Sequence, residues 1–447
     1  MIGAYAPGRG TTAEKLNRQR YAKRVANQRM RRFRRRIRPT NLTVEQLLMR
    51  LKPSALLDGL YPDRGRRWRI PTKREPFGVV DLEDFSMIDH PQKTIHSLEA
   101  LAEAECTLAS AQLNFCDEYC HDIGAFLLLE AMWDQLGPIF HGGSIQKPTS
   151  KVLEAVGLRA QLGMAPFPAQ YGDVLPFRIQ KKQRASGRQT TNPIDPERSE
   201  KVSDHLCDWI NKVLDEVANQ SLTEEGLVLV QNIAGEALDN AETHGGLKSE
   251  EGSWTVAGFM AQRNDRHRFH LSFLNVGATI AESVESCPAV IREGMDDYVR
   301  RHRTVRSDLT EEELRTVYAL QDGVTRLERK LSGGAKGGTG LADVMDFFAD
   351  LAGGGTDDDQ PNLAIVSGST YIRVSPPYDR PLRESVTGIT AETILPRQIW
   401  FNSRNSPLQP PAESHVFRLP GFIKGTLVTM AFNLNIKYLE ESADGHD

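Results

Sequence analysis

Glu236, Asn240 and His244 fall at i, i+4 and i+8 of the run Gln231 to Gly245, a spacing that predicts one polar row along a single helix face. A carboxylate, an amide and an imidazole in such a row can hold a water, complete the shell of a magnesium ion and touch a phosphate. Mg2+ takes oxygen ligands and keeps several waters while bridging nucleotide phosphates, a task that an Asn carbonyl suits. The same row also fits the polar face of an ordinary amphipathic helix, and spacing alone leaves both readings open.

Two further segments carry related chemistry. Gly333-Gly334-Ala335-Lys336-Gly337-Gly338-Thr339-Gly340-Leu341 is a glycine-rich loop that runs straight into an apolar stretch ending near Leu351. Glycines let backbone N–H groups come close to phosphate, and a helix N-terminus adds partial positive charge. No Lys-Ser or Lys-Thr pair follows the last glycine, so the loop is not of the Walker type. Phe273 to Ile280 reads as a strand that leaves through a single glycine, Gly277.

In order, these pieces resemble the ATP-binding domain of the GHKL superfamily, shared by gyrase-type topoisomerases, heat-shock chaperones, histidine kinases and mismatch-repair ATPases. Glu236-Ala237-Leu238-Asp239-Asn240-Ala241-Glu242-Thr243-His244 is similar to its Glu-x-x-x-Asn-Ala box, and Gly338-Thr339-Gly340-Leu341 to its second glycine box. Gly425-Thr426 and the apolar run to Phe432 are similar to its Gly-Thr and closing strand. The resemblance covers about 199–434 and implies a Bergerat-type α/β sandwich, a mixed sheet covered by helices, that binds ATP with Mg2+. It implies that Asn240 holds the metal and that Glu236 polarises an attacking water where hydrolysis occurs. Gly337, Gly338, Thr339 and Gly340 would cradle phosphates under a lid at about 283–332, and His244, Asn275, Gly277 and Thr426 would complete the nucleotide contacts. The adenine box departs from the family's Asp-x-Gly-x-Gly: Asn275 replaces the Asp and Thr279 the second glycine. An Asn oxygen still accepts from an amino group, but the charge is gone. No separate helix with a phospho-acceptor His precedes the domain, which argues against an orthodox histidine kinase.

The elements that must position these residues alternate along the chain. Strands are expected at 78–82 and 111–115, with helices at 96–105, 124–136 and 150–158, which predicts a small α/β domain at 77–179. Leu113-Asn114-Phe115, the run from Asp122 to Leu129 and the run from Val152 to Leu158 resemble the STAS domain of anti-sigma-factor antagonists. In that family a phosphorylated serine would fall at or near Asp122, so the resemblance implies a permanent carboxylate imitating the phosphorylated state. Residues 1–40 form a basic arm, 41–76 a helix with a Pro-bearing connector, 180–198 a linker, 199–436 the ATP-binding domain and 437–447 an acidic tail. Within the larger domain, helices are expected at 201–219, 223–244, 301–331 and 340–351, and strands at 254–262, 267–274, 363–366, 371–374 and 426–432.

The whole is therefore expected to be an α/β protein of two or three domains, as 447 residues allow. Hydrophobic residues at 39% and charged residues at 26% exclude a low-complexity chain. The net charge of −4 is unevenly spread: eleven Lys or Arg and no acid lie between Arg18 and Arg38, leaving 44 of the 55 basic residues to face 59 acidic ones. An arm of that kind binds nucleic acid by counterion release or docks on its own acidic body. Five cysteines without regular spacing predict reduced thiols, and Cys116, Cys120 and His121 lack the second pair that tetrahedral zinc requires. No apolar run reaches the ~18 residues of a membrane span, and the N-terminus lacks a signal core, which reads as cytoplasmic. The function that follows is an ATP-binding protein, a Mg-dependent ATPase or a serine/threonine kinase of partner-switching type, whose closure regulates a protein partner; a homodimer stays open. The alternatives are a catalytically degenerate scaffold for a protein partner and a nucleic-acid-associated ATPase that uses the arm.

Overall fold

A parallel strand pair, β1 (Gly78–Leu82) and β2 (Ala111–Phe115), is accompanied by helices α1 (Ala55–Leu60), α2 (Pro91–Thr107), α3 (Ile123–Leu136) and α4 (Lys147–Val156). The computed structural model describes residues 20, 54–62, 64, 78–107, 111–140, 142–167, 174–182, 199–244, 253–263, 266–324, 340–353, 360–383 and 396–442. Five longer strands follow: β3 (Val174–Lys182), β4 (Trp254–Arg263), β5 (Arg266–Asn275), β6 (Asn362–Val374) and β7 (Val416–Phe432). They join in the order β3-β4-β5-β7-β6, and every seam is antiparallel. The mixed sheet that the resemblance implies is thus replaced by an antiparallel one. β4 ends at Arg263 and β5 begins at its partner Arg266; the expected polar turn residues Asn264 and Asp265 lie outside the described residues.

Successive residues of a strand face opposite sides, so a strand that is apolar at nearly every position must be covered twice. Phe269, Leu271 and Phe273 of β5 share one core with Val428 and Met430 of β7 and with helices α5 (Ser199–Ala218) and α6 (Glu224–His244). The same core takes in α7 (Ile280–Ser283), α8 (Ala289–Val305), α9 (Glu311–Ala319) and α10 (Gly340–Leu351). Ala257, Phe259, Leu274, Val366, Leu427 and Ala431 point the other way, into a second core built with Leu98, Phe126, Leu127 and Leu153 of the N-terminal helices.

This double cover revises the expected domain plan. The helices of 77–179 pack on the back of the large sheet, and β3, which starts inside the expected first domain where the sequence pattern predicts no strand, is an edge strand of that sheet. Gln180 to Lys182 belong to β3 and not to a linker; 183–198, the rest of the expected linker, lie outside the described residues. Leu439 to Glu441 pair with Gln220 to Leu222, so this part of the expected acidic tail is folded into the body. The charged run 301–331 is not one helix: α8 ends at Val305, and Thr310 starts α9 with a capping box to Glu313. Arg18 to Arg38, apart from the exposed Arg20, lie outside the described residues.

Asp122 fastens the two halves together. It is the N-cap of α3, accepting from Gly124 N at 2.8 Å and Ala125 N at 3.3 Å, and it also accepts from Met87 N at 2.8 Å and from Thr429 Oγ1 of β7 at 2.6 Å. At 1% exposure this carboxylate is spent on bonds within the fold, which gives no support to its reading as a permanent carboxylate imitating the phosphorylated state. An acid placed just before an apolar run is a capping signal.

Candidate functional site

Thr223 starts α6 with its hydroxyl accepting from Gly226 N at 3.2 Å, as its place before Glu224 and Glu225 predicts. Ile233, Ala234, Ala237 and Leu238 bury one side of the helix, so Glu236 and Asn240 stand one turn apart on its partly buried flank. His244 is the last residue of α6. Its side chain, like Gly337, Gly338 and Thr339, lies outside the described residues.

Gly340, the first residue of α10, meets Asn240. A Cβ at Gly340 would sit 2.3 Å from Asn240 Nδ2 and 2.6 Å from its Oδ1, so any side chain there would have to push this amide aside. Asn240 Nδ2 is buried and has no hydrogen-bond partner among the described residues. A buried donor in that state costs about 1–3 kcal/mol, which makes it a place where an acceptor oxygen is welcome. The N–H groups of the first turn of α10 lie at the same junction and lack helical partners. Asn240 and Gly340, 100 positions apart in the sequence, therefore form one corner.

The other wall is the end of the sheet. Asn275 of β5 and Thr426 of β7 are a registered pair, and Trp254 of β4 flanks Asn275 on its other side. Gly425 has φ +132°, and a Cβ there would lie 2.0 Å from the Asn275 carbonyl oxygen, so the Gly-Thr pair is what lets β7 pass this point. Ser367 Oγ donates to Gly425 O at 2.9 Å, accepts from Ile280 N at 2.8 Å and lies 3.1 Å from Thr426 Oγ1. With its single hydrogen used on Gly425, the serine leaves Thr426 as the donor of that last bond. Gly277 lies in the bend after β5.

Asn275 and Thr279, the two residues that depart from the family's adenine box, have local uses. Asn275 is buried, and its Nδ2 donates to Ser253 O at 2.7 Å and Ala241 O at 3.3 Å, strapping the sheet to the last turn of α6. Thr279 caps α7 in a reciprocal box with Glu282, which a glycine could not form. Burial would raise the Glu282 carboxyl, but bonds from Lys424 and Thr279 hold it below its ordinary value.

The segment expected to form a lid is largely a helical layer. Within 283–324, Met295, Tyr298, Leu314, Val317 and Leu320 are buried in the same core as Ile365 and Trp400, and Glu312 of α9 bonds Ser369 of β6. The rest of that expected lid, 325–332, lies outside the described residues. A groove of about 530 Å³ between α8 and α9 includes Arg300, Arg303 and Glu311 but none of the residues of the Asn240 corner.

Two supporting groups escape a reading by motif. Glu242, inside the first box, accepts from Trp254 Nε1 at 2.8 Å and pairs with Lys182 at 2.9 Å, tying α6 to β4 and β3. Arg397 gathers Asp322, Asp343 and Asp346 from two separate segments. A buried tryptophan with a polar handle is a fair signal for the first; no spacing connects the members of the second. Among the described residues, no cluster of His, Cys, Asp and Glu could hold a metal by itself, and no helix is long and apolar enough to cross a membrane. No protein-family model, curated protein or solved structure matches the chain.

Proposed function

We propose that the chain is an ATP-binding protein of GHKL type, with Mg2+ and nucleotide held at the junction of α6, α10 and the ends of β5 and β7. The observation that carries this reading is the Asn240 amide, unpartnered among the described residues and seated against Gly340, which joins the carboxylate-amide helix to the start of α10. The residues fit the group: Asn240 supplies an amide oxygen for a hard cation and an N–H donor, unmet among the described residues, for a phosphate oxygen. Gly340 and the N-terminus of α10 supply backbone donors and partial positive charge. Glu236, one turn before Asn240, would supply the carboxylate that holds a water. Bound Mg2+ would neutralise phosphate charge and orient the phosphates. Thr426 and Asn275 border the end where a base would lie. An ATPase or a serine/threonine kinase acting on a protein partner follows from this reading, and the basic arm at 18–38 adds an anionic partner such as nucleic acid.

Calorimetric titration of Mg-ATP into the full chain tests it, with Asn240→Ala as the comparison. Binding that the substitution weakens by at least about tenfold, 1.4 kcal/mol, is expected; equal binding by both proteins, or none by either, refutes the site.

A second reading has its own observation. The Asn275 amide is engaged by Ser253 O and Ala241 O, and Thr279 by its capping box, so both departures serve the fold. That favours a scaffold that keeps the architecture and binds a protein partner, and absence of nucleotide binding is what it expects.

A further inference from the structure

Arg397 is 8% exposed and surrounded by three carboxylates. Its Nε and Nη2 bond the two oxygens of Asp322 at 3.1 and 3.2 Å, its Nη1 bonds Asp346 at 2.9 Å, and its Nη2 also bonds Asp343. Four of the five N–H groups of the fork are thereby used, an arrangement a lysine ammonium cannot reproduce. Burial works against the charge, but the bonds from Asp322, Asp343 and Asp346 outweigh it and hold the guanidinium protonated.

The partners come from two places. Asp322 follows α9 and is bound to Arg397 through the backbone as well: Arg397 N donates to Asp322 Oδ2 at 2.8 Å, and Asp322 N to Arg397 O at 3.2 Å. The adjacent Gln321 and Ile399 repeat this exchange, with bonds of 2.8 Å in both directions. Asp343 and Asp346, three residues apart in the first two turns of α10, share the face that Arg397 grips. Gly340, which seats against Asn240, is three residues before Asp343. A single guanidinium thus fixes the start of α10 to a strand segment that is itself locked to residue 322.

We propose that Arg397 is a positioning residue for the nucleotide site: by gripping Asp343 and Asp346 it holds the first turn of α10, and with it Gly340, against Asn240. This rests on the nucleotide-binding reading above. Arg397 does not touch the Asn240–Gly340 contact, so its effect is on placement, and Arg397→Lys keeps the charge while losing the fork.

The test uses the full chain and four proteins: wild type, Arg397→Met, Arg397→Lys, and Arg64→Met. Arg64 is a fully buried ion-pair partner of Glu105 in the N-terminal layer and controls for general loss of stability. Amide hydrogen exchange without nucleotide reads the grip directly, and calorimetry with Mg-ATP reads its consequence. Exchange in 340–347 is expected to speed up by at least about tenfold in Arg397→Met, to an intermediate degree in Arg397→Lys, and to stay within about twofold of wild type in Arg64→Met. Mg-ATP affinity per folded molecule should fall by about tenfold or more in Arg397→Met and by less than about threefold in Arg64→Met. Wild-type protection of 340–347 in Arg397→Met overturns the proposal whether or not nucleotide binds. Loosened exchange with Mg-ATP bound equally by wild type and Arg397→Met overturns it too and leaves the nucleotide reading standing. Loosened exchange with no Mg-ATP binding by wild type overturns that reading and reduces Arg397 to a structural brace.

Discussion

Asp122→Asn probes how the N-terminal layer is held on the sheet, because it changes charge and donor pattern while keeping shape. Oδ1 accepts from Gly124 N at 2.8 Å and Thr429 Oγ1 at 2.6 Å, and Oδ2 from Met87 N at 2.8 Å and Ala125 N at 3.3 Å. An amide nitrogen at the Oδ2 position would face two backbone N–H donors. At the Oδ1 position it would face one such donor and the Thr429 hydroxyl, whose hydrogen can turn to Ser272 Oγ, 2.7 Å away. This second arrangement is the less costly, yet it leaves the Gly124 N–H buried without an acceptor, a loss of about 1–3 kcal/mol. That lost bond is itself half of the α3 cap, and the neutral amide regains part of the carboxylate's desolvation cost. The expected net destabilisation is about 2 kcal/mol, read as a lower urea midpoint at unchanged slope. The sign of the pH dependence is a second check. Burial raises the Asp122 carboxyl above its ordinary 3.8, against the bonds from Thr429, Gly124, Met87 and Ala125. The folded chain therefore holds this proton more tightly than the unfolded one, and the contribution is present below pH 3.8 and lost as pH rises through the folded value. The margin of wild type over Asp122→Asn should narrow as pH rises from about 4. A variant as stable as wild type, or a margin that widens with pH, would refute this account.

Gly340→Ala places a Cβ 2.3 Å from Asn240 Nδ2; relieving that overlap costs about 1–3 kcal/mol, and a thermal melt should show it together with lost Mg-ATP binding in calorimetry. His270 is stacked on Phe259 at 4.5 Å between ring centroids, and burial, aided by Arg268 and His121, pushes its pKa down to about 3. The unfolded chain binds this proton more readily, so stability should fall as pH drops below 6.5, by at most about 1.4 kcal/mol per pH unit. His270→Phe should remove that slope, measured as the difference between the two proteins so that Asp122, which titrates in the opposite sense, cancels; parallel stability curves would count against it.

Much of the local structure is legible in the residues. The strands at 78–82 and 111–115 and the helix at 340–351 stand where pattern puts them, because alternation, an apolar run and flanking glycines all agree there. The helix at 301–331 fails because its charges mask a break that only the capping pair Thr310 and Glu313 marks. The double-faced sheet was hidden for a different reason. β3 is separated from β4 by 71 positions, and a strand's membership in a sheet is decided by pairing at a distance rather than by its own residues. In the candidate site, the boxes around Asn240, Gly340 and Thr426 are readable because each is a short contiguous run. Asp322, Asp343 and Arg397 carry no common pattern, and only the fold brings them together.

The back of the sheet has a practical consequence for anyone who would divide this molecule. A fragment beginning at Ser199 contains every residue of the candidate site but lacks β3, leaving β4 as a bare edge with unpaired backbone groups. It would also turn Ala257, Phe259, Leu274, Val366, Leu427 and Ala431 out to water as a continuous oily plane, with the Thr429 hydroxyl in its middle left only its bond to Ser272. Such a fragment should self-associate when expressed alone and become soluble when the 54–182 piece is supplied beside it. In this sense the N-terminal half serves as a resident subunit, tethered by its own chain to the face it protects.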